Sequence, residues 1–179
     1  MKINFKSCTA EELWKYVASA LSKNGIESVL VGGAVVSIYT KGLYQSGDLD
    51  FIVQNSARAR LPEIMASLGF KKTDRHYAHP ECKHLFVEFP SGPLSIGEAI
   101  RIRPKEQKVE KQVIKILSPT DCIKDRLASY IHFKSRETLE QAAMVAQKQP
   151  FNLAAVRKWC KEENAIEQFK EFQRALKLK

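Results

Sequence analysis

The segment Val29-Leu30-Val31-Gly32-Gly33-Ala34 leaves few options for the fold of this chain. An apolar run that ends in two glycines and resumes at helical spacing reads as a buried strand turning sharply into a helix. Asp48-Leu49-Asp50-Phe51-Ile52-Val53 begins fifteen residues after Gly33 and reads as a second strand. A strand, a short helix (Ala34 to Thr40, stopped at Gly42) and a second strand in so little chain point to a mixed α/β class.

The remaining pattern extends this beginning. A first helix is expected over Ala10 to Ser22, with Thr9 and Glu12 as a capping box and Asn24-Gly25 as its stop. The first buried strand covers Ile26 to Val31. A helix is expected over Ala57 to Leu68, followed by strands over Phe70 to Tyr77, Leu85 to Phe89 and Val109 to Leu117. From Ser118-Pro119-Thr120-Asp121 onward the pattern is helical: a capping serine, proline at the first helical position and an acid in the first turn. Further helices follow over Thr138 to Lys148, Leu153 to Cys160 and Ala165 to Leu176. The chain thus divides into a mixed α/β part, 1–117, and a helical extension, 118–179.

Composition narrows the function. No apolar run approaches the roughly 20 residues of a membrane-spanning helix, and the first ten residues do not have the shape of a signal peptide. A cytoplasmic protein is expected. Cys8, Cys82, Cys122 and Cys160 are scattered, which reads as reduced thiols. The net charge of +9 is concentrated in the second half, since residues 1–100 hold 11 Lys/Arg against 10 Asp/Glu. That excess suits an anionic partner such as nucleic acid, or simply a soluble surface.

The acidic residues are more informative. Side chains alternate along a strand, so Asp48 and Asp50 share one face while Leu49 and Phe51 take the other. Two like charges this close repel unless a cation lies between them, and magnesium takes oxygen ligands of this kind together with substrate phosphates. Glu88 sits in the otherwise apolar run Leu85-Phe86-Val87-Glu88-Phe89. If that strand lies beside the first, Glu88 joins the pair as a third carboxylate, able to bind a second metal ion or to take a proton from an attacking hydroxyl. Each feature alone has a plainer reading: a tight turn at the glycines, a solvated strand end at the aspartates, a water-facing edge at the glutamate. Together they point to a metal-dependent site for a nucleoside triphosphate. The bare backbone at Gly32 and Gly33 would approach phosphate, and Ser37, one turn into the helix, would add a hydroxyl or pack inside.

Leu30-Val31-Gly32-Gly33, Asp48-Leu49-Asp50-Phe51-Ile52-Val53 and Val87-Glu88-Phe89 resemble the nucleotidyltransferases of the DNA polymerase beta superfamily, most closely small bacterial members of the minimal and antitoxin types. The likeness spans roughly Ile26 to Leu117, and the helical tail with Asp125-Arg126-Leu127 is similar to the extension of such proteins. The resemblance implies a short mixed sheet backed by helices, with the site at one end. It implies that Gly32 and Gly33 hold the triphosphate and that Asp48, Asp50 and Glu88 carry Mg²⁺ or Mn²⁺. The implied reaction is attack of an acceptor hydroxyl on the α-phosphorus of an NTP, with release of pyrophosphate. Many relatives have Gly-Ser at the glycine pair and an arginine or threonine shortly before the first aspartate; this chain has Tyr44-Gln45-Ser46-Gly47 there. Lys41, Lys124 and Arg126 are the candidate replacements for that cation. The glycine–arginine–aspartate pattern of transfer-RNA end-adding enzymes is absent, so that activity is not assigned. The alternative is a non-catalytic nucleic-acid-binding or antitoxin-like module that keeps the fold.

Two further groups stand out. His76, His79, Cys82 and His84 cluster in sequence, as a loop or as a zinc site. Arg101, Arg103, Lys105, Lys108, Lys111 and Lys115 form a basic run, either a solvated hairpin or a track for an acceptor RNA or protein.

Overall fold

The computed structural model describes residues 2–97 and 102–177; Arg101 of the basic run lies outside them. A seven-stranded mixed sheet carries helices on one side and continues into a helical tail. Helix α1 (Ala10–Lys23) starts at the expected capping box, in which the Thr9 hydroxyl accepts from the Glu12 amide and Glu12 accepts from the Thr9 amide. Strand β1 (Ser28–Val31) runs into α2 (Gly33–Tyr39), and β2 spans Asp48–Val53. Burial alternates along β2: Leu49, Phe51 and Val53 are buried, whereas Asp48 is exposed and Asp50 half-buried. Helices α1 and α2 pack on the central strands, where Trp14, Leu30, Val35, Leu49 and Phe51 are almost completely shielded from water.

Three expected elements divide. The helix expected over Ala57 to Leu68 is a 3₁₀ segment, Asn55–Arg60, followed by α3, Leu61–Ser67. Pro62, without an N–H, suits the first turn of a helix and not its interior, so the α-helix starts afresh there. The strand expected over Phe70 to Tyr77 is a hairpin of β3 (Lys71–Lys72) and β4 (His76–His79), closed by the Thr73 amide donating to His76 O. The last strand is also a hairpin, of β6 (Lys105–Val109) and β7 (Gln112–Ile116). Its turn uses Glu110 at φ 53°, without the glycine or asparagine that normally marks such a turn. Strand β5 covers Cys82–Glu88.

The strand order is β3-β4-β5-β2-β1-β7-β6. β1 and β2 are antiparallel, while β5 lies parallel to β2 with Asp48 opposite Phe86 and Asp50 opposite Glu88. Helix α4 (Pro119–Phe133) opens with Ser118 capping the Asp121 amide, and α5 (Arg136–Lys148), α6 (Leu153–Glu162) and α7 (Ile166–Lys177) follow. Both α4 and α5 pack on α2. Tyr39 Oη donates to Leu117 O at 2.6 Å, and Gln149 Nε2 donates to Tyr39 O at 2.8 Å. These bonds tie the end of β7 and the end of α5 to the C-terminal end of α2.

Candidate active site

Residues paired across adjacent strands project from the same face of a sheet. The register therefore builds a row, Val31–Asp50–Glu88–His76, across β1, β2, β5 and β4. Asp48 stands two residues before Asp50 on the same face. The structure thus brings together the three carboxylates expected from sequence. No lysine or arginine among the described residues forms an ion pair with any of them. Burial first, then Glu88 and Asp48, push the Asp50 carboxyl up from its ordinary 3.8 to about 6, against the opposing pull of Arg126.

The glycine turn lies against this row. Gly32 has φ 75°, a conformation in which a side chain is strained, and a Cβ built there would come within 2.5 Å of Asp50 Oδ2. A Cβ on Gly33 would come within 2.7 Å of Ser46 Oγ. Close approach crowds both positions, the backbone conformation adds to the constraint at Gly32, and no side chain caps the α2 N-terminus. Ser37 has a different task from the one anticipated. It is buried, and its hydroxyl accepts from the Ser46 amide at 2.9 Å, so it holds the loop leading into Asp48.

The two candidate cations of α4 part company. Lys124 pairs with Asp121 at 3.2 Å, within its own helix, and the structure does not bring it to the carboxylates. Arg126 is held by Asp125 at 2.6 and 3.0 Å and donates to Gln141 Oε1 at 3.4 Å. Its charge acts on Asp50. Gln141 in turn donates to Glu137, which bonds the Tyr44 hydroxyl; burial and Glu137 both raise the Tyr44 pKa. A chain of polar contacts from α4 and α5 thus reaches the loop before Asp48. Lys41 is exposed and lines a cleft shared with Ser46, Gly47 and His84. On the other side, Gly32, Asp50, Asp125, Arg126, Leu94 and Ile96 line a cleft of about 250 Å³. Behind Glu88, Arg58 donates to Phe89 O at 3.0 Å and to Pro90 O, fixing the chain where β5 ends.

Sequence reasoning missed Ser46, Tyr44, Asp125 and Gln141. Ser46 was findable, as the hydroxyl two residues before the first aspartate; the others depend on helix packing. The histidine group separates. His79 stacks on Phe5 with centroids 3.6 Å apart, His76 packs on Phe86, and only Cys82 and His84 stay together, beside Cys8. In the basic hairpin, Lys115 is tied to Glu27 and Glu106.

Residues 10–79 match the family described as "Nucleotidyl transferase of unknown function". An antigenic nucleotidyltransferase-like protein from Paracoccidioides brasiliensis superposes with a TM-score of 0.62 over 98% of this chain and 95% of its own, at 14% identity. The chain carries a nucleotidyltransferase fold. Two antibiotic-modifying proteins share it. The lincosamide antibiotic adenylyltransferase LnuA, bound to lincomycin, has a TM-score of 0.55 at 10% identity, covering 80% of this chain and 100% of its own. ANT(2")-Ia, in complex with adenylyl-2"-tobramycin, has a TM-score of 0.52 at 10% identity, covering 92% and 97%. No curated protein matches the sequence significantly. The family match, over residues 10–79, and these neighbours are all to proteins described as nucleotidyltransferases, nucleotidyltransferase-like or adenylyltransferases. None of the helices described is long and apolar enough to cross a membrane.

Proposed function

We propose that this chain is a nucleotidyltransferase that transfers a nucleoside monophosphate from an NTP to a hydroxyl acceptor, with Asp48, Asp50 and Glu88 as its metal-binding carboxylates. The observation that carries the reading is three acids in register, with no ion pair to lysine or arginine among the described residues, beside a glycine turn whose first residue has φ 75°. Such a donor set fits a hard divalent cation, Mg²⁺ or Mn²⁺. A bound cation supplies charge stabilisation at the phosphate oxygens.

The chain's own residues account for the rest of the chemistry. The main chain at Gly32 and Gly33 lets a triphosphate come close to the carboxylates, and Ser46 adds a hydroxyl beside it. Lys41, in the cleft with Ser46 and Gly47, takes the place of the arginine common in relatives and meets the phosphate tail. Arg126, pinned by Asp125, presents a fixed positive charge on the Asp50 side. Glu88 lies at the far side of Asp50 from the glycine turn, where its carboxylate can receive the proton of the attacking hydroxyl. The acceptor oxygen forms a bond to the α-phosphorus as pyrophosphate leaves. The antibiotic substrates of LnuA and ANT(2")-Ia belong to those proteins; here they justify including small hydroxylated molecules among the acceptors tested, alongside RNA and protein.

The test is incubation with α-labelled NTPs, Mg²⁺ and separate pools of RNA, protein and small hydroxylated molecules. Label entering one pool, and failing to do so with Asp50→Asn, supports the reading. Absence of both transfer and Mg²⁺-dependent NTP binding favours the non-catalytic alternative.

A further inference from the structure

Away from the carboxylate row, three soft ligand atoms converge between the N-terminal segment and the start of β5. Cys8 Sγ and Cys82 Sγ lie 3.9 Å apart, and Cys82 Sγ lies 3.9 Å from His84 Nδ1. All three ligand atoms fall within 4.8 Å of one another. Tetrahedral zinc, with Zn–S of about 2.3 Å and Zn–N of about 2.0–2.1 Å, sets S···S near 3.8 Å and S···N near 3.6 Å. The Cys8–Cys82 and Cys82–His84 spacings match these within a few tenths of an ångström.

The imidazole supplies an independent observation. Its Nε2 lies 2.8 Å from Cys8 O, and a carbonyl only accepts, so Nε2 carries the proton. In the neutral ring the Nδ1 lone pair is then left facing the sulfurs. A ligating histidine whose second nitrogen is held by a main-chain carbonyl is the usual outer-shell arrangement of a metal site. A plain pair of packed thiols requires no such histidine. The two cysteines are buried while His84 is exposed, and Cys8 and His84 both line the neighbouring cleft.

We propose that Cys8, Cys82 and His84 form a Zn²⁺ site that fastens the N-terminal segment to β5. The cation would join residues 74 positions apart in the chain. It would reinforce a contact already made by Phe5 stacked on His79. β5 ends at Glu88, so the clamp grips the strand that supplies the third carboxylate. The site stands on its own atoms and does not depend on the proposed reaction.

The full chain, purified under reducing conditions without chelator, is tested by elemental analysis and by Co²⁺ substitution. One zinc per chain is expected, together with a thiolate-to-cobalt charge-transfer band in the near ultraviolet. Cys82→Ser and His84→Gln should each weaken Zn²⁺ binding by about 100-fold or more, beyond the usual cost of losing an outer-shell partner. His84→Gln alters an exposed side chain, so it serves even if Cys82→Ser fails to fold. Asp50→Asn should leave zinc content unchanged, which separates this site from the carboxylate row. Absence of stoichiometric zinc and of the cobalt band overturns the proposal. So does binding that survives at full strength in His84→Gln, or a Cys8–Cys82 disulfide that forms equally fast with and without Zn²⁺.

Discussion

Two clusters of charge on one sheet have opposite designs. On the β7 side, Lys115 sits between two acids, 2.9 Å from Glu27 and 3.5 Å from Glu106, and each charge has a partner from the protein. On the β2–β5 side, Asp48, Asp50 and Glu88 stand together and no lysine or arginine among the described residues pairs with them. The Lys115 partners are well exposed, so that cluster contributes little beyond fixing the hairpin. The carboxylate cluster costs stability, because a half-buried acid beside two others resists ionising. A fold keeps such a cost where a ligand offsets it.

The largest expected effect tests which cluster is functional. Asp48→Asn or Asp50→Asn should lower nucleotidyl transfer by about 10³-fold or more, equivalent to about 4 kcal/mol in the barrier, with an unchanged circular-dichroism spectrum. Next comes Gly32→Ala. A methyl within 2.5 Å of Asp50 Oδ2, on a backbone at φ 75°, should cost about 2–3 kcal/mol of stability, read from denaturant unfolding, and abolish NTP binding.

A smaller effect has a characteristic pH dependence. The folded state raises the Asp50 pKa from 3.8 to about 6, so it holds that proton more tightly than the unfolded chain does. Stability from this group is therefore full below pH 4, declines as pH rises toward 6, and is lost above it. In the presence of chelator, Asp50→Asn should stabilise the chain by about 1–2 kcal/mol at pH 8 and by nothing measurable at pH 4. Added Mg²⁺ should stabilise the natural sequence at pH 8 and leave Asp50→Asn unaffected. The smallest effect belongs to the other cluster: Lys115→Met should change stability by less than about 1 kcal/mol and leave the Mg²⁺ response intact.

The shared face of Asp48 and Asp50 was legible because strand alternation is local and holds whatever the rest of the chain does. Glu88 was legible only as an acid in an apolar run; its register against Asp50 came from the sheet. The boundaries of β2 and the caps of α1 and α4 were readable for the same local reason. The β6–β7 hairpin was offered as one reading of the basic run but without its bounds, and the β3–β4 hairpin was not seen, because Asp74 is the lone turn-forming residue in Thr73-Asp74-Arg75 and Glu110-Lys111 has neither glycine nor asparagine. Arg126 was readable as a candidate but not separable from Lys124, two residues away. The first is turned toward Asp50 and the second is held by Asp121, a choice made by how α4 packs. Cys8 lies 74 residues from Cys82, and no sequence spacing marks them as neighbours.

The most direct measurement is anomalous diffraction from crystals grown with Mn²⁺ and a non-hydrolysable NTP analogue. Manganese peaks bonded to carboxylate oxygens of Asp48, Asp50 and Glu88, with the triphosphate lying along Gly32 and Gly33, are the predicted result. Saturating Mn²⁺ with no peak at those oxygens, or Glu88 turned to the opposite face of the sheet, would contradict it.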